Sequence, residues 1–307
     1  MRAAFAAFVV AFTVLGLGAA PASLAFHDGT SSCTYSAGVV RLRLASQHVV
    51  QLLAVEGRIE YADLTDYSFR GQCGSATVSN TDTVRLSETV AGTTRFQLRQ
   101  QFGRLGPGRT RETTGVSEIE VYLGTVTDIW LLCRPVRDAV TVGAGGLNLN
   151  GDGDVDLIGS HVAEITAFLE EGNDLLTAEG GRGTGSPWFP PAGGYLSAYG
   201  GDGADLLRGS GGNDTLDGDW DDDRVYGLGG RDDLRGSTGH DFVSGGSGAD
   251  YIDPGYGYDT VFAGPGNDFI AAADYTADTI DGGNGSDSAF ADREDQVTNV
   301  ESVSPGP

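Results

Sequence analysis

The chain has 307 residues and a formal net charge of −24, from 19 basic and 43 acidic side chains, and every basic side chain is arginine. The absence of lysine excludes P-loop and Schiff-base chemistry, and the acidity argues against nucleic acid or an anionic membrane as partner, leaving cations as the natural one. Residues 1–137 hold 13 arginines against 11 acids, whereas residues 138–307 hold 6 against 32 and also carry 36 of the 49 glycines, so the acidic, turn-rich character belongs to the C-terminal part.

The first segment, MRAAFAAFVVAFTVLGLGAAPASLA, has one basic residue, an apolar run and small residues suited to cleavage after Ala22 or Ala25. It reads as a signal peptide over 1–25, and secretion to an extracellular location is expected. Gly16 and Gly18 shorten the run below what a membrane anchor needs, and no later stretch is long and apolar enough to span a bilayer.

Residues 26–127 alternate with period two in several places, as in Val40, Leu42 and Leu44 against Arg41 and Arg43, and Ile119, Val121 and Leu123 against Glu118, Glu120 and Tyr122. Such alternation predicts half-buried strands. This region is therefore β-rich, either an irregular start of a solenoid or a small sandwich-like cap. Of three cysteines in an exported chain, Cys33 and Cys73 lie in polar, turn-like contexts and form the expected pair, while Cys133 closes the apolar run IWLLC and reads as a buried small hydrophobe.

Residues 128–199 carry weaker traces of a nine-residue period. Counting back in nines from Asp174 reaches Ile165, Asp156, Leu147 and Asp138, with Leu176 and Ile158 two places after Asp174 and Asp156. Irregular solenoid coils are expected here, with one metal site near Asp156 and Asp174. The segment 179–195, which holds Trp188, Phe189 and three prolines, breaks the period and reads as an insertion loop. Its aromatic pair is expected to pack on the solenoid wall rather than project as a docking tip.

From Gly200 the chain reads GGDGADLLR, GSGGNDTLD, GDWDDDRVY, GLGGRDDLR, GSTGHDFVS, GGSGADYID, PGYGYDTVF and AGPGNDFIA, eight units of nine residues. Position six is always aspartate: Asp205, Asp214, Asp223, Asp232, Asp241, Asp250, Asp259 and Asp268. Position eight is always apolar and bulky: Leu207, Leu216, Val225, Leu234, Val243, Ile252, Val261 and Ile270. The first six residues suit a turn with positive-φ positions, and the last three suit a short strand with position eight inward.

Two units make an 18-residue coil, so alternate aspartates stack in two columns on opposite edges. Carboxylates one coil apart, about 4.8 Å, repel by about 3 kcal/mol at an effective dielectric near 20. A dication between them reverses the sign. Carboxylates and turn carbonyls are hard oxygen ligands, so calcium is the expected ion, at about six sites within 200–270. Filled at ten times their dissociation constants, six sites would add about 8 kcal/mol, enough to couple folding to calcium.

After Asp268 the pattern loosens. Asp278 follows a glycine-free stretch, so metal binding is not expected there. Asp287 in GGNGSDSAF regains the loop, with Ala289 inward. Residues 200–290 are thus the calcium-binding roll and 291–307 a closing turn and tail.

These units match G-G-x-G-x-D-x-U-x, and the chain resembles RTX, or hemolysin-type, calcium-binding repeat proteins. The order of CTY, CGSATVSNTDTV, GVSEIEVYLG and GLNLNGDGDVDL before the nonapeptides is similar to that in exported bacterial calcium-binding proteins of this type. The resemblance implies an all-β, right-handed parallel β-roll with calcium held by the position-six aspartates and loop carbonyls. Neither H-E-x-x-H nor G-x-S-x-G occurs, and His27, His48, His161 and His240 are scattered. A non-enzymatic surface, adhesion or scaffolding role is expected, with a cell-surface or polysaccharide ligand as a candidate partner. The alternative is an extracellular hydrolase or polysaccharide-active enzyme with the roll as accessory module.

Overall fold

The computed structural model describes residues 194–306 continuously, residues 162–180 and Trp188, and upstream of these a series of strands with a few flanking residues. The signal peptide, the Cys33 and Cys73 side chains, Asp156 and Phe189 lie outside the described residues. All described regular structure is β, with no helix among the described residues.

The nonapeptide period sets the architecture. Position eight of every unit is fully buried, from Leu207 to Ile270, and Ile280 and Ala289 continue the line. These side chains form a single apolar axis because each three-residue strand puts its middle residue inward and its neighbours outward. Successive strands alternate between two sheets, and within each sheet the strands run parallel. Leu206–Arg208 pairs with Arg224–Gly229, which pairs with Phe242–Ser247, then Thr260–Gly266 and Thr279–Gly285. In the other sheet Asp214–Trp220 pairs with Asp233–Arg235, then Tyr251–Asp253, Phe269–Ala271 and Ser288–Ala291. Leu207 faces Val225, Val225 faces Val243 and Leu234 faces Ile252, one coil of two units apart. The fold is a parallel β-solenoid, as the period predicts.

The same two ladders continue upstream. Glu164–Phe168 pairs in parallel with Tyr195–Asp202 on one side and Asp128–Leu132 on the other, and Asp128–Leu132 pairs with Arg95–Arg99, which pairs with Val49–Val55. The opposite sheet holds Val39–Leu44, Thr83–Glu88, Glu120–Tyr122 and Leu157–Ile158, again parallel. The strands of the β-rich region thus belong to the same sheets as the nonapeptides, apart from Thr110–Arg111 and Ser117–Glu118, which pair with each other. The first strands are antiparallel: Ser32–Ser36 with Val39–Leu44, and Val49–Val55 with Arg58–Asp63 and Phe69–Thr77.

The ladder continues across the 179–195 interval. Leu175 pairs with Leu206 although the 179–195 loop intervenes, and Trp188 from that loop returns to the core with 5% of its surface exposed, its N–H donating to the Ala178 carbonyl at 2.9 Å. The packed reading of the loop therefore holds for Trp188. Cys133 is buried, as expected.

Candidate metal centre

Each turn places its position-six aspartate inward at the end of a strand, and the stacking of coils joins these residues into two columns. In one, the Asp205 N–H donates to Asp223 Oδ1 at 2.7 Å, Asp223 to Asp241 at 2.8 Å, Asp241 to Asp259 at 2.8 Å and Asp259 to Asp278 at 2.8 Å. In the other, Asp214 donates to Asp232 at 2.8 Å, Asp232 to Asp250 at 2.9 Å, Asp250 to Asp268 at 2.9 Å and Asp268 to Asp287 at 2.9 Å. These contacts offset part of the mutual repulsion, since a charge-assisted N–H bond is among the stronger hydrogen bonds a carboxylate can accept.

Only Oδ1 is used in this way. The Oδ2 atoms of Asp205, Asp223, Asp232, Asp241, Asp250, Asp259, Asp268, Asp278 and Asp287 are buried without a hydrogen-bond partner. Each side chain is almost wholly enclosed, and an orphaned buried carboxylate oxygen costs several kcal/mol unless a cation meets it. The unused oxygen faces the position-one residue. A Cβ placed on Gly245 would lie 2.6 Å from Asp250 Oδ2 and 2.5 Å from the Ala263 carbonyl of the next coil, and Gly227 relates in the same way to Asp232 and the Gly245 carbonyl. Glycine at position one therefore keeps open a cradle lined by one carboxylate oxygen and one carbonyl oxygen.

The turn conformation has its own demands. Positive φ recurs at positions two and four of several units, as at Gly246 (96°) and Gly248 (143°). Asp221 stands at position four with φ 76°, so aspartate does enter the left-handed region there, as its short polar side chain allows.

Burial raises the carboxyl pKa values along both columns. Asp223 and Asp232 are pushed up to about 8, Asp259 and Asp278 to about 7, and Asp205, Asp241 and Asp268 to about 6. Desolvation is the largest cause; the N–H bond from the preceding rung opposes it, and neighbouring carboxylates add to it for Asp223, Asp232 and Asp259.

The residues fit a hard dication. Oxygen donors converge on buried, unpartnered positions, and among the described residues no group of three or more His, Cys, Asp or Glu side chains forms a conventional cluster, so backbone carbonyls would complete any ligand set. The ion would supply the positive charge that the column lacks.

The structure brings together the eight repeat aspartates and Asp287 in the expected columns and adds Asp278, which the glycine-free context had argued against. The D-x-apolar pattern of Asp278 and Ile280 was the signal available. The same pattern appears in Asp138 with Val140 and Asp295 with Val297, and these two extend the first column at its ends: Asp138 donates to Asp174 Oδ1 at 2.6 Å and Asp278 to Asp295 Oδ1 at 3.0 Å. Asp174 joins this column too, donating to Asp205 Oδ1 at 2.7 Å.

Asp156, expected to share a site with Asp174, lies outside the described residues. The strand after Asp156, Leu157–Ile158, is separated from Leu175–Thr177 by the strands of an antiparallel hairpin, Ala139–Gly143 and Gly146–Asn148. Counting in nines assumes uniform winding, whereas the strands from Ala139 to Ile158 pair antiparallel in sequence. Asp214 also stands apart, because Ser210 at position two donates its N–H to Oδ2 at 2.6 Å and its hydroxyl to Oδ1 at 3.0 Å.

A parallel solenoid with two internal aspartate columns defines a β-roll of the calcium-binding kind. Residues 199–293 match the RTX calcium-binding nonapeptide repeat in four copies, at 199–234, 226–261, 255–274 and 272–293. This part of the chain is therefore a run of RTX calcium-binding repeats. The chain matches no curated protein. Among the described residues, no helix is long and apolar enough to cross a membrane.

Proposed function

We propose that the protein is an exported, non-enzymatic calcium-binding scaffold whose roll is completed by ions at the aspartate columns. The orphaned Oδ2 atoms carry this reading: nine buried carboxylate oxygens lack a partner, and position-one glycines keep space beside several of them. Asp205, Asp223, Asp241 and Asp259 form one set of ligands, and Asp232, Asp250 and Asp268 the other, with Asp214, whose oxygens Ser210 already meets, at the end of that column. Successive rungs define about six sites within 200–270, and Asp278 and Asp287 extend the columns beyond them.

The columns also account for the regular carboxylates without a catalytic role. The N-terminal segment, with its charge and apolar run, supports export to a calcium-rich exterior. Calorimetric titration of calcium into the metal-free chain is expected to give six or more ions per molecule, with a parallel gain of β-structure by circular dichroism. A stoichiometry of two or fewer, or an unchanged spectrum, would overturn the proposal.

A further inference from the structure

The two turn edges of the roll differ in what they show to solvent. Along the edge beside the Asp223 column, position three carries Asp202, Trp220, Thr238 and Tyr256 on successive coils, linked by parallel β-pairing, and the 19-residue step of the next coil brings Tyr275 into line. Position five carries Asp222, His240 and Tyr258: the His240 N–H donates to Asp222 Oδ1 at 2.8 Å, and the Tyr258 N–H to His240 Nδ1 at 2.9 Å. On the opposite edge, position three holds Gly229, Ser247, Pro265 and Asn284. All the turn aromatics of the repeat region thus lie on one side.

They are also the most exposed rings of the roll. Trp220 is 57% exposed, Tyr256 70%, Tyr258 64% and Tyr275 71%. Rings on the flat sheets are less exposed and have structural partners, as in the stacked Tyr251–Phe269 pair at 5.7 Å and the tilted Phe242–Phe262 pair at 5.6 Å. Cross-strand packing explains those pairs. It does not explain Trp220, Tyr256 and Tyr275, whose side chains stand out from the turns.

We infer that this edge binds an extended polysaccharide of neutral or weakly basic character. A pyranose ring has an apolar C–H face that packs on an aromatic ring, and hydroxyls around its rim that carboxylates and imidazole can bind. The edge offers both kinds of group, with the exposed Asp222 and His240 beside the rings. The rings from Trp220 to Tyr275 span three coil steps, about 14 Å, in a line along the solenoid axis, which suits a linear polymer. So narrow a strip falls far below the roughly 800 Å² per partner of a stable protein interface. The net charge of −26 over residues 138–307 repels anionic glycans and anionic lipid surfaces.

The inference rests on the calcium-folded roll, because the turns that hold the rings are the turns that hold the proposed ions. Its test uses the full calcium-loaded chain in native gels containing hydroxyethyl cellulose, xylan or alginate, with binding to chitin and to phosphatidylcholine vesicles measured separately. Retention by at least one of hydroxyethyl cellulose, xylan and chitin is expected, without retention by alginate. The triple variant Trp220→Ala, Tyr256→Ala, Tyr275→Ala should weaken binding at least tenfold, while Tyr251→Ala with Phe269→Ala leaves it within twofold.

No retention by any of those three glycans, equal retention of the triple variant, or preferential binding to alginate or vesicles would each overturn the inference. Circular dichroism with and without calcium, run on every variant, reports separately on the roll. A glycan failure with an intact calcium response sinks this inference alone, and a missing calcium response sinks the function on which it rests.

Discussion

At the scale of single residues, the two oxygens of each column aspartate have different duties. Oδ1 takes an amide N–H from the preceding rung and fixes register, whereas Oδ2 remains for a cation. Asp232→Asn keeps the shape but removes the charge, so it should lower calcium stoichiometry by at least one ion and reduce the melting temperature of the loaded protein, while raising that of the metal-free protein at neutral pH, where burying the Asp232 charge is costly. Equal melting shifts with and without calcium would contradict the assignment. Gly245→Ala tests the cradle from the other side. Its Cβ would intrude on the Ala263 carbonyl and Asp250 Oδ2, and a loss of about 1–3 kcal/mol in denaturant unfolding is expected, as for other overpacked sites. An unchanged midpoint would show that the turn has room to spare.

At the scale of the element, a column titrates as a set of buried acids. The folded-state values of about 6 to 8 lie above the unfolded value near 4, so between those limits the folded chain binds more protons than the unfolded one. The associated stability is fully present below pH ~4 and is lost as pH rises through the folded values. The dialysed, metal-free protein should therefore melt at a higher temperature at pH 5 than at pH 8. Calcium affinity should run the other way, rising with pH as protons cease to compete. A metal-free melting temperature that rises from pH 5 to pH 8 would refute this account.

The columns were legible in the sequence because position six and position eight each recur every nine residues from Asp205 to Ile270. The Asp278 rung was not, because glycine was treated as the mark of a rung. At Asp278 an aspartate followed two places later by the inward Ile280 stacks without a glycine-rich turn, with an extra residue absorbed in the coil. The strand order around Asp174 was hidden for a different reason: antiparallel pairing changes the order without disturbing a nine-residue count.

For the molecule as a whole, coils contact their neighbours along one axis, and stability is close to a sum over coils and interfaces. The continuity of the two sheets across the 128–199 region and upstream strands was less legible, since spacings there vary and period two marks any half-buried strand. Trp188 gives a handle on that region. Trp188→Ala should cost about 3–5 kcal/mol, in keeping with loss of a buried tryptophan, whereas Trp220→Ala should fall within about 0.5 kcal/mol. Chemical denaturation of the two variants distinguishes them, and equal costs would contradict the burial pattern. Trp188 is accordingly a better fluorescence reporter of folding than the exposed Trp220.

The alternation of units between two sheets also governs which changes in length the roll can absorb silently. Adding or removing 18 residues preserves the side to which every downstream turn points. A change of nine can leave the apolar axis and the ladders intact while transferring every later turn to the opposite edge. A single extra nonapeptide between Trp220 and Tyr256 would thus separate rings that now share a side, with little change in the core beneath them. Length in this fold has a phase as well as a magnitude: packing senses a period of nine, and the outward face senses a period of 18.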